Sequence, residues 1–250
     1  MSISDKAKKL VVNIGGDIKD YLKKYPLEDI YNYNIVIESV LFENDNNKIK
    51  KINESNSNFE RIKELRKFMN NKLKNVPNIV DYYIWIVKDF GGIKAFKRGM
   101  DDKKEEIKND IDNFINCLQT FELDRPQFNT ISSYSKIVSF LDPQKYFIYD
   151  SRVAFVLNWI LLKNYRQENR YFHVPHGRNQ DLTKYNIDTI INLYNKNDHK
   201  EYYNKKDVYF IYCEFINMLF EEIKNEKINE KISEPYYIEM IVLPTLNLHF

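Results

Sequence analysis

Only six glycines occur in 250 residues, and the six prolines that follow the first helical stretches fall between apolar-periodic segments. Proline interrupts a helix and glycine frees a turn, so this spacing describes helices joined by short connections. No segment shows strand-like alternation of any length, which makes the fold class all-α. Helices are expected at about residues 16 to 24, 27 to 43, 59 to 74, 78 to 90, 101 to 121, 132 to 141, 151 to 164, 182 to 196, 204 to 227 and 235 to 243. A chain of this length can bury a full core, as one helical domain or as two small lobes around a cleft.

Two pauses divide the pattern. ENDNNKIKKINESNSN, residues 43 to 58, is polar, rich in Asn and free of aromatics, and is expected to be a surface loop. FGGIKAFKRGM, residues 90 to 100, places Gly91 and Gly92 as a helix C-cap ahead of a short connector. The expected organisation is an N-terminal helical lobe over 1–100, a core over 101–165, and a segment over 166–250 whose basic loop and C-terminal helices pack back on that core. The Gly91-Gly92 pair lacks the further glycines and the Lys-Ser/Thr of a phosphate loop, and no repeat of solenoid period is present.

Composition narrows the partners. Lys and Arg number 38 against 36 Asp and Glu, a net charge of +2, which excludes a strongly basic protein that coats nucleic acid indiscriminately but leaves room for a local basic patch. Cys117 and Cys213 have no zinc spacing and form no disulfide framework; each sits in an apolar helical pattern, as a small buried thiol in a reducing cytoplasm would. No stretch approaches the roughly 20 apolar residues of a membrane span. A soluble cytoplasmic protein with no cofactor and no membrane partner is expected.

The segment SYSKIVSFLDPQKYFIYDSRV, residues 133 to 153, is the least generic part of the chain. From Asp150 onward, Val153, Val156, Leu157, Ile160 and Leu161 form one stripe and Ala154, Phe155 and Trp159 cover most of the rest, so this helix belongs at the centre of the core. Asp150 stands at its N-cap, where free amides and the helix dipole favour an ionised carboxylate. In the helix before it, Lys136 borders the apolar face of Ile137, Phe140 and Leu141. Asp142-Pro143 then turns the chain, and FIY leads apolar and extended into Asp150, which can bring Lys136 and Asp150 to one cleft.

SKIVSFLDPQKYFIYDSRVAFVL resembles the active-site region of the helix-hairpin-helix DNA glycosylases, especially the 8-oxoguanine DNA glycosylase branch. The resemblance covers about a tenth of the chain and implies a helical bundle of two lobes around a cleft. It assigns Lys136 as the nucleophile and Asp150 as the second essential group. The hairpin of that superfamily carries glycines that grip a DNA phosphate; NTISSYSK carries Ser132 and Ser133 there and no glycine, and Lys136 and Asp150 are closer in sequence than is usual. The implied activity is base excision, with Lys136 attacking C1′ of a flipped nucleotide and Asp150 stabilising the cationic sugar. A lysine at its ordinary pKa is protonated and inert, so burial is a requirement of the mechanism. The substrate would be DNA with a damaged or modified base: 8-oxoguanine and a modified base of invading DNA both fit, although the chain ends in apolar Phe250 where some 8-oxoguanine glycosylases have a polar group that reads the base.

Other candidates surround this pair. Ser133 and Ser135 fall at the expected hairpin, and Arg152 can pair with a phosphate or with Asp150 itself. Residues 165 to 186 gather Arg166, Arg170, His173, His176, Arg178 and Lys184, with Arg178 and Asn179 placed to touch the DNA backbone or wedge into the duplex. Tyr134, Tyr146, Phe147 and Tyr149 could stack on an extruded base. The competing view is plainer: Asp150 as an ordinary N-cap, Lys136 as a solvated lysine with its stem over Phe140, and the whole as a non-catalytic helical module that binds nucleic acid or protein.

Overall fold

In a computed structural model, residues 5–38, 40–93, 103–165, 170–175, 186–194, 201–224 and 232–242 are described. The chain runs through α1 (Asp5–Lys24), α2 (Leu27–Ile30), a 3-10 turn (Val40–Asp45), α3 (Asn46–Asn53), α4 (Asn58–Leu73) and α5 (Ile79–Trp85). It continues through a π-helical turn (Ile86–Phe90), α6 (Lys104–Thr120), α7 (Arg125–Leu141), α8 (Ser151–Asn164), α9 (Ile187–Tyr194), α10 (Val208–Lys224) and α11 (Tyr236–Val242). The all-α expectation holds, with one small addition: β1 (Arg170–Tyr171) and β2 (Glu201–Tyr202) form a parallel pair. Buried side chains from Val11 to Ile241 form one continuous core.

Helix α7 is central. It packs on α4, α6 and the π turn, while α8 lies against α9 and α11, and α1 lies along α10. Its start is set by DRPQ: the Asp124 carboxylate accepts from the Gln127 N–H, the Gln127 side chain accepts from the Asp124 N–H, and Pro126 fits the first turn, where no donor is needed. The helix therefore begins seven residues before the expected 132, and residues 129 to 133 lie inside it. The hairpin expected ahead of Lys136 does not exist, because a capping box replaces the turn by a continuous helix.

Two further expectations are corrected. Residues 27 to 43 do not form one helix: α2 ends at Ile30, and 31–38 have no regular structure. Side chains satisfy the backbone there in place of helical bonds. Asn53 accepts from the Ile37 N–H at 3.0 Å and donates to the Ile37 carbonyl at 3.1 Å, and Arg61 donates to the Ile35 carbonyl at 3.2 Å. The polar stretch expected as a loop contains α3 instead, because Ile49 and Ile52 fall on one face and are buried.

Candidate active site

The segment 146 to 150 joins α7 to α8 and is fastened on both sides. Ser135 Oγ accepts from the Tyr149 N–H at 3.0 Å, Tyr209 Oη donates to the Phe147 carbonyl at 3.1 Å, and Tyr212 Oη donates to the Ile148 carbonyl at 2.8 Å. Glu239 of α11 accepts from the Ile148 N–H at 2.8 Å and, through its other oxygen, from Arg66 of α4 at 2.8 Å. Arg66 and Glu239 are both 1% exposed, with the guanidinium over the rings of Phe140 and Tyr236. This buried pair holds α4, α11 and the lead-in to Asp150 in one arrangement.

Asp150 caps α8. Its Oδ1 accepts from the N–H groups of Arg152 at 3.0 Å and Val153 at 3.2 Å. Its Oδ2 faces two basic groups: the Arg152 guanidinium, with Nη2 at 3.0 Å and Nε at 3.3 Å, and Lys136 Nζ at 3.6 Å. Lys136 Nζ also donates to the Ser132 carbonyl one turn back, at 2.6 Å. Lys136 is 3% exposed and Asp150 7%, while the Arg152 side chain keeps 37% of its surface in water. The Ser132 hydroxyl is buried without a partner.

The π turn closes over the lysine stem. Its signature bond runs from the Gly91 N–H to the Ile86 carbonyl at 2.8 Å. A Cβ added at Gly91 would stand 2.7 Å from Cδ of Lys136 and 2.5 Å from the Val87 carbonyl oxygen, so glycine is required there by close approach. Phe90 packs edge-on against Phe140, with ring centroids 4.9 Å apart, and Tyr33 Oη donates to the Phe90 carbonyl. The cap expected at Gly91-Gly92 is present, with Gly92 at a positive φ of 68°, and Gly91 in addition stands against the lysine stem.

Burial and charge divide the two groups. Burial lowers the Lys136 amine from its ordinary value and Arg152 adds to this by repulsion, against the attraction of Asp150 and Glu239. Burial works to raise the Asp150 carboxyl, yet the neighbouring cations and the α8 amides outweigh it and hold it at about 2. What results is a dry amine, weakened as a base, beside an anion fixed by donors other than itself.

The structure thus brings together Lys136, Asp150 and Arg152, three of the expected site residues. It places the others differently. Ser135 is fully buried and spent on the Tyr149 N–H, so it is not on a DNA-facing surface; Ser133 is half-buried within α7. Tyr134, Phe147 and Tyr149 are core residues rather than walls of an open pocket: Tyr134 packs on Phe114, and Tyr149 Oη donates to the His173 carbonyl at 2.6 Å. Arg170 is exposed, paired with Glu201 at 2.9 Å and set over Tyr203. His173 stacks on Tyr202. His176, Arg178, Asn179, Arg166 and Lys184 lie outside the described residues.

Sequence reasoning missed Gly91, Tyr33, Arg66 and Glu239. Only the Gly91-Gly92 doublet carried a signal; Arg66 and Glu239 are 173 residues apart and nothing local links them. Among the described residues no helix is long and apolar enough to cross a membrane, and no cluster of three His, Cys, Asp or Glu side chains is arranged for a metal ion. Comparison of the chain with models of known protein families, with curated proteins and with solved structures finds no match in any of the three.

Proposed function

We propose that the protein is a base-excision DNA glycosylase with lyase activity, acting on DNA that carries a damaged or modified base, with Lys136 as nucleophile and Asp150 as the stabilising carboxylate. One observation carries this reading: a buried amine, lowered in basicity, 3.6 Å from an ionised helix-capping carboxylate. An exposed lysine has little use as a nucleophile at neutral pH, and one paired only to shield a carboxylate has no need of a dry site.

A base inside a duplex is out of reach, so the nucleotide is flipped out, at a cost of about a few kcal/mol that is smallest for a damaged or mispaired base. The nitrogen lone pair of Lys136 forms a bond to C1′ as the C1′–N bond to the base breaks, and that bond's electron pair leaves with the base. Asp150 faces the positive charge that develops on the sugar. The proton lost from the newly bonded nitrogen passes to the departing base; the nitrogen lone pair then breaks the C1′–O4′ bond, O4′ takes a proton from water, and a protonated Schiff base results. Loss of a 2′ proton then expels the 3′ phosphate and nicks the strand.

The test is covalent trapping: the protein is incubated with duplex DNA carrying an abasic site and reduced with borohydride. A stable protein–DNA band in the wild type that is lost in Lys136→Ala supports the reading. A second reading is favoured by the continuous helix over residues 125 to 141, which leaves no hairpin to hold a phosphate. On that reading the chain is a helical nucleic-acid-binding or protein-interaction module, and the ion cluster only ties α7 to α8. Salt-sensitive DNA binding with no trapped band selects the nucleic-acid-binding module; absence of DNA binding removes both DNA readings and leaves the protein-interaction module.

A further inference from the structure

We propose that Arg152 keeps Lys136 an uncharged amine by occupying the carboxylate that would otherwise hold the lysine as an ammonium ion. The inference rests on the reading of Lys136 as a nucleophile for its biological meaning, but its physical content is independent of DNA.

The geometry carries it. Asp150 has two oxygens, and Oδ1 is filled by two backbone N–H groups. Oδ2 is the one oxygen left for a cation, and Arg152 takes it with two donors at 3.0 and 3.3 Å, whereas Lys136 stays at 3.6 Å. Guanidinium binds a carboxylate as a planar fork and is not deprotonated in proteins, so it outcompetes an ammonium ion for this position. The acceptors around Nζ agree. Two oxygens face it, the Ser132 carbonyl at 2.6 Å and Asp150 Oδ2. Among the described residues Nζ makes one hydrogen bond, to that carbonyl, and Oδ2 lies beyond hydrogen-bond distance; an ammonium ion would bury more unpaired protons than a neutral amine, which has two N–H bonds and a lone pair.

Among the described residues the surroundings contain no better partner. Glu239 of α11 attracts Lys136 at longer range, but its oxygens are used by Arg66 of α4 and the Ile148 N–H. Tyr31 and Tyr33 of the extended segment act on Arg152, and burial raises both phenols, so they stay uncharged at neutral pH. On the π turn Lys88 pairs with Asp89, and on α6 Asp110 faces Tyr134. Arg152 is therefore the residue whose removal releases Asp150 to the lysine. Because its side chain is 37% exposed, a polar replacement is accommodated without an overpacked or emptied core.

Titration of protein labelled with 13C and 15N at lysine, followed at the Lys136 Cε and Nζ signals and assigned by Lys136→Met, measures the charge directly. The expected result is a Lys136 midpoint below that of the other lysines, raised by about 1 to 3 pH units in Arg152→Gln because the freed carboxylate pairs with the amine. Arg152→Lys, which keeps a cation at the carboxylate, returns the midpoint most of the way. Asp150→Asn shifts it the other way, downward. A midpoint unchanged or lowered in Arg152→Gln overturns the proposal, and so does a wild-type Lys136 that titrates with the other lysines. If Arg152→Gln fails to fold, the Arg152→Lys and Asp150→Asn titrations decide: a midpoint that Asp150→Asn leaves in place or raises overturns the proposal. Loss of DNA trapping with these shifts intact would remove the glycosylase reading and leave the tuning role standing.

Discussion

Lys136 Nζ and Asp150 Oδ2 stand 3.6 Å apart because two independent devices aim them at each other: the α8 N-cap fixes the carboxylate, and the π turn with Gly91 presses on the lysine stem. Neither device needs the other residue of the pair. A site built in this way does not depend on a strong ion pair to hold its two groups in place.

Removing the amine should stabilise the fold. Lys136→Met keeps an unbranched chain under Gly91 and beside Phe140, deletes a buried ionisable group, and leaves Asp150 with Arg152 and two amides. The expected gain is about 1 to 3 kcal/mol in urea unfolding, together with loss of trapping. Destabilisation by this substitution would mean that the lysine is a structural partner of Asp150.

At Gly91 the direction reverses. Its backbone lies in the ordinary right-handed region, so alanine brings no backbone strain, only a methyl group 2.5 Å from the Val87 oxygen and 2.7 Å from the Lys136 stem. Gly91→Ala should cost about 1 to 3 kcal/mol and slow trapping by displacing the amine. Gly92→Ala meets no neighbouring atom but must adopt a positive φ of 68°, so it should cost about 1 kcal/mol and leave trapping intact.

The Arg66–Glu239 pair gives a third expectation. Arg66→Met strands a buried carboxylate and should cost about 3 to 5 kcal/mol, whereas the double variant Arg66→Met, Glu239→Gln should recover much of this, since the pair as a whole adds little net stability. A thermodynamic cycle from urea unfolding of the four proteins measures the coupling.

Acid sensitivity follows from Asp150. Its carboxyl is held at about 2 in the folded protein against 3.8 for the unperturbed group, so its contribution to stability is complete above the unfolded value and is lost as pH falls toward 2. The difference of roughly two units corresponds to about 2 kcal/mol. Unfolding of the wild type at pH 6 and pH 3 should therefore show a loss that is smaller in Asp150→Asn by about 1 kcal/mol, the part of this contribution already gone at pH 3.

Much of the fold was legible where the local pattern and the packing agree. Helix α8 spans the expected 151 to 164, and the pairing of Lys136 with Asp150 followed from an apolar helix opened by an aspartate after a turn at Asp142-Pro143. The start of α7 was present in DRPQ as a capping box, but Asn129, Thr130, Ser132 and Ser133 around Phe128 and Ile131 obscured the helix. The segment 31–38 was illegible for a different reason: Asn53 and Arg61, distant in sequence, satisfy its backbone. Tyr134, Phe147 and Tyr149 show the limit of reading aromatics as a pocket, since a sequence places them near a site without saying on which side of the backbone they pack.

The central claim is that the Lys136 nitrogen bonds to a sugar carbon. Peptide mapping by mass spectrometry of the borohydride-reduced complex with abasic-site DNA tests it at the level of the atom. The account predicts one modified lysine, Lys136, in the tryptic peptide that spans it. An adduct on another lysine, or on the N-terminal amine with Lys136 unmodified, would contradict it.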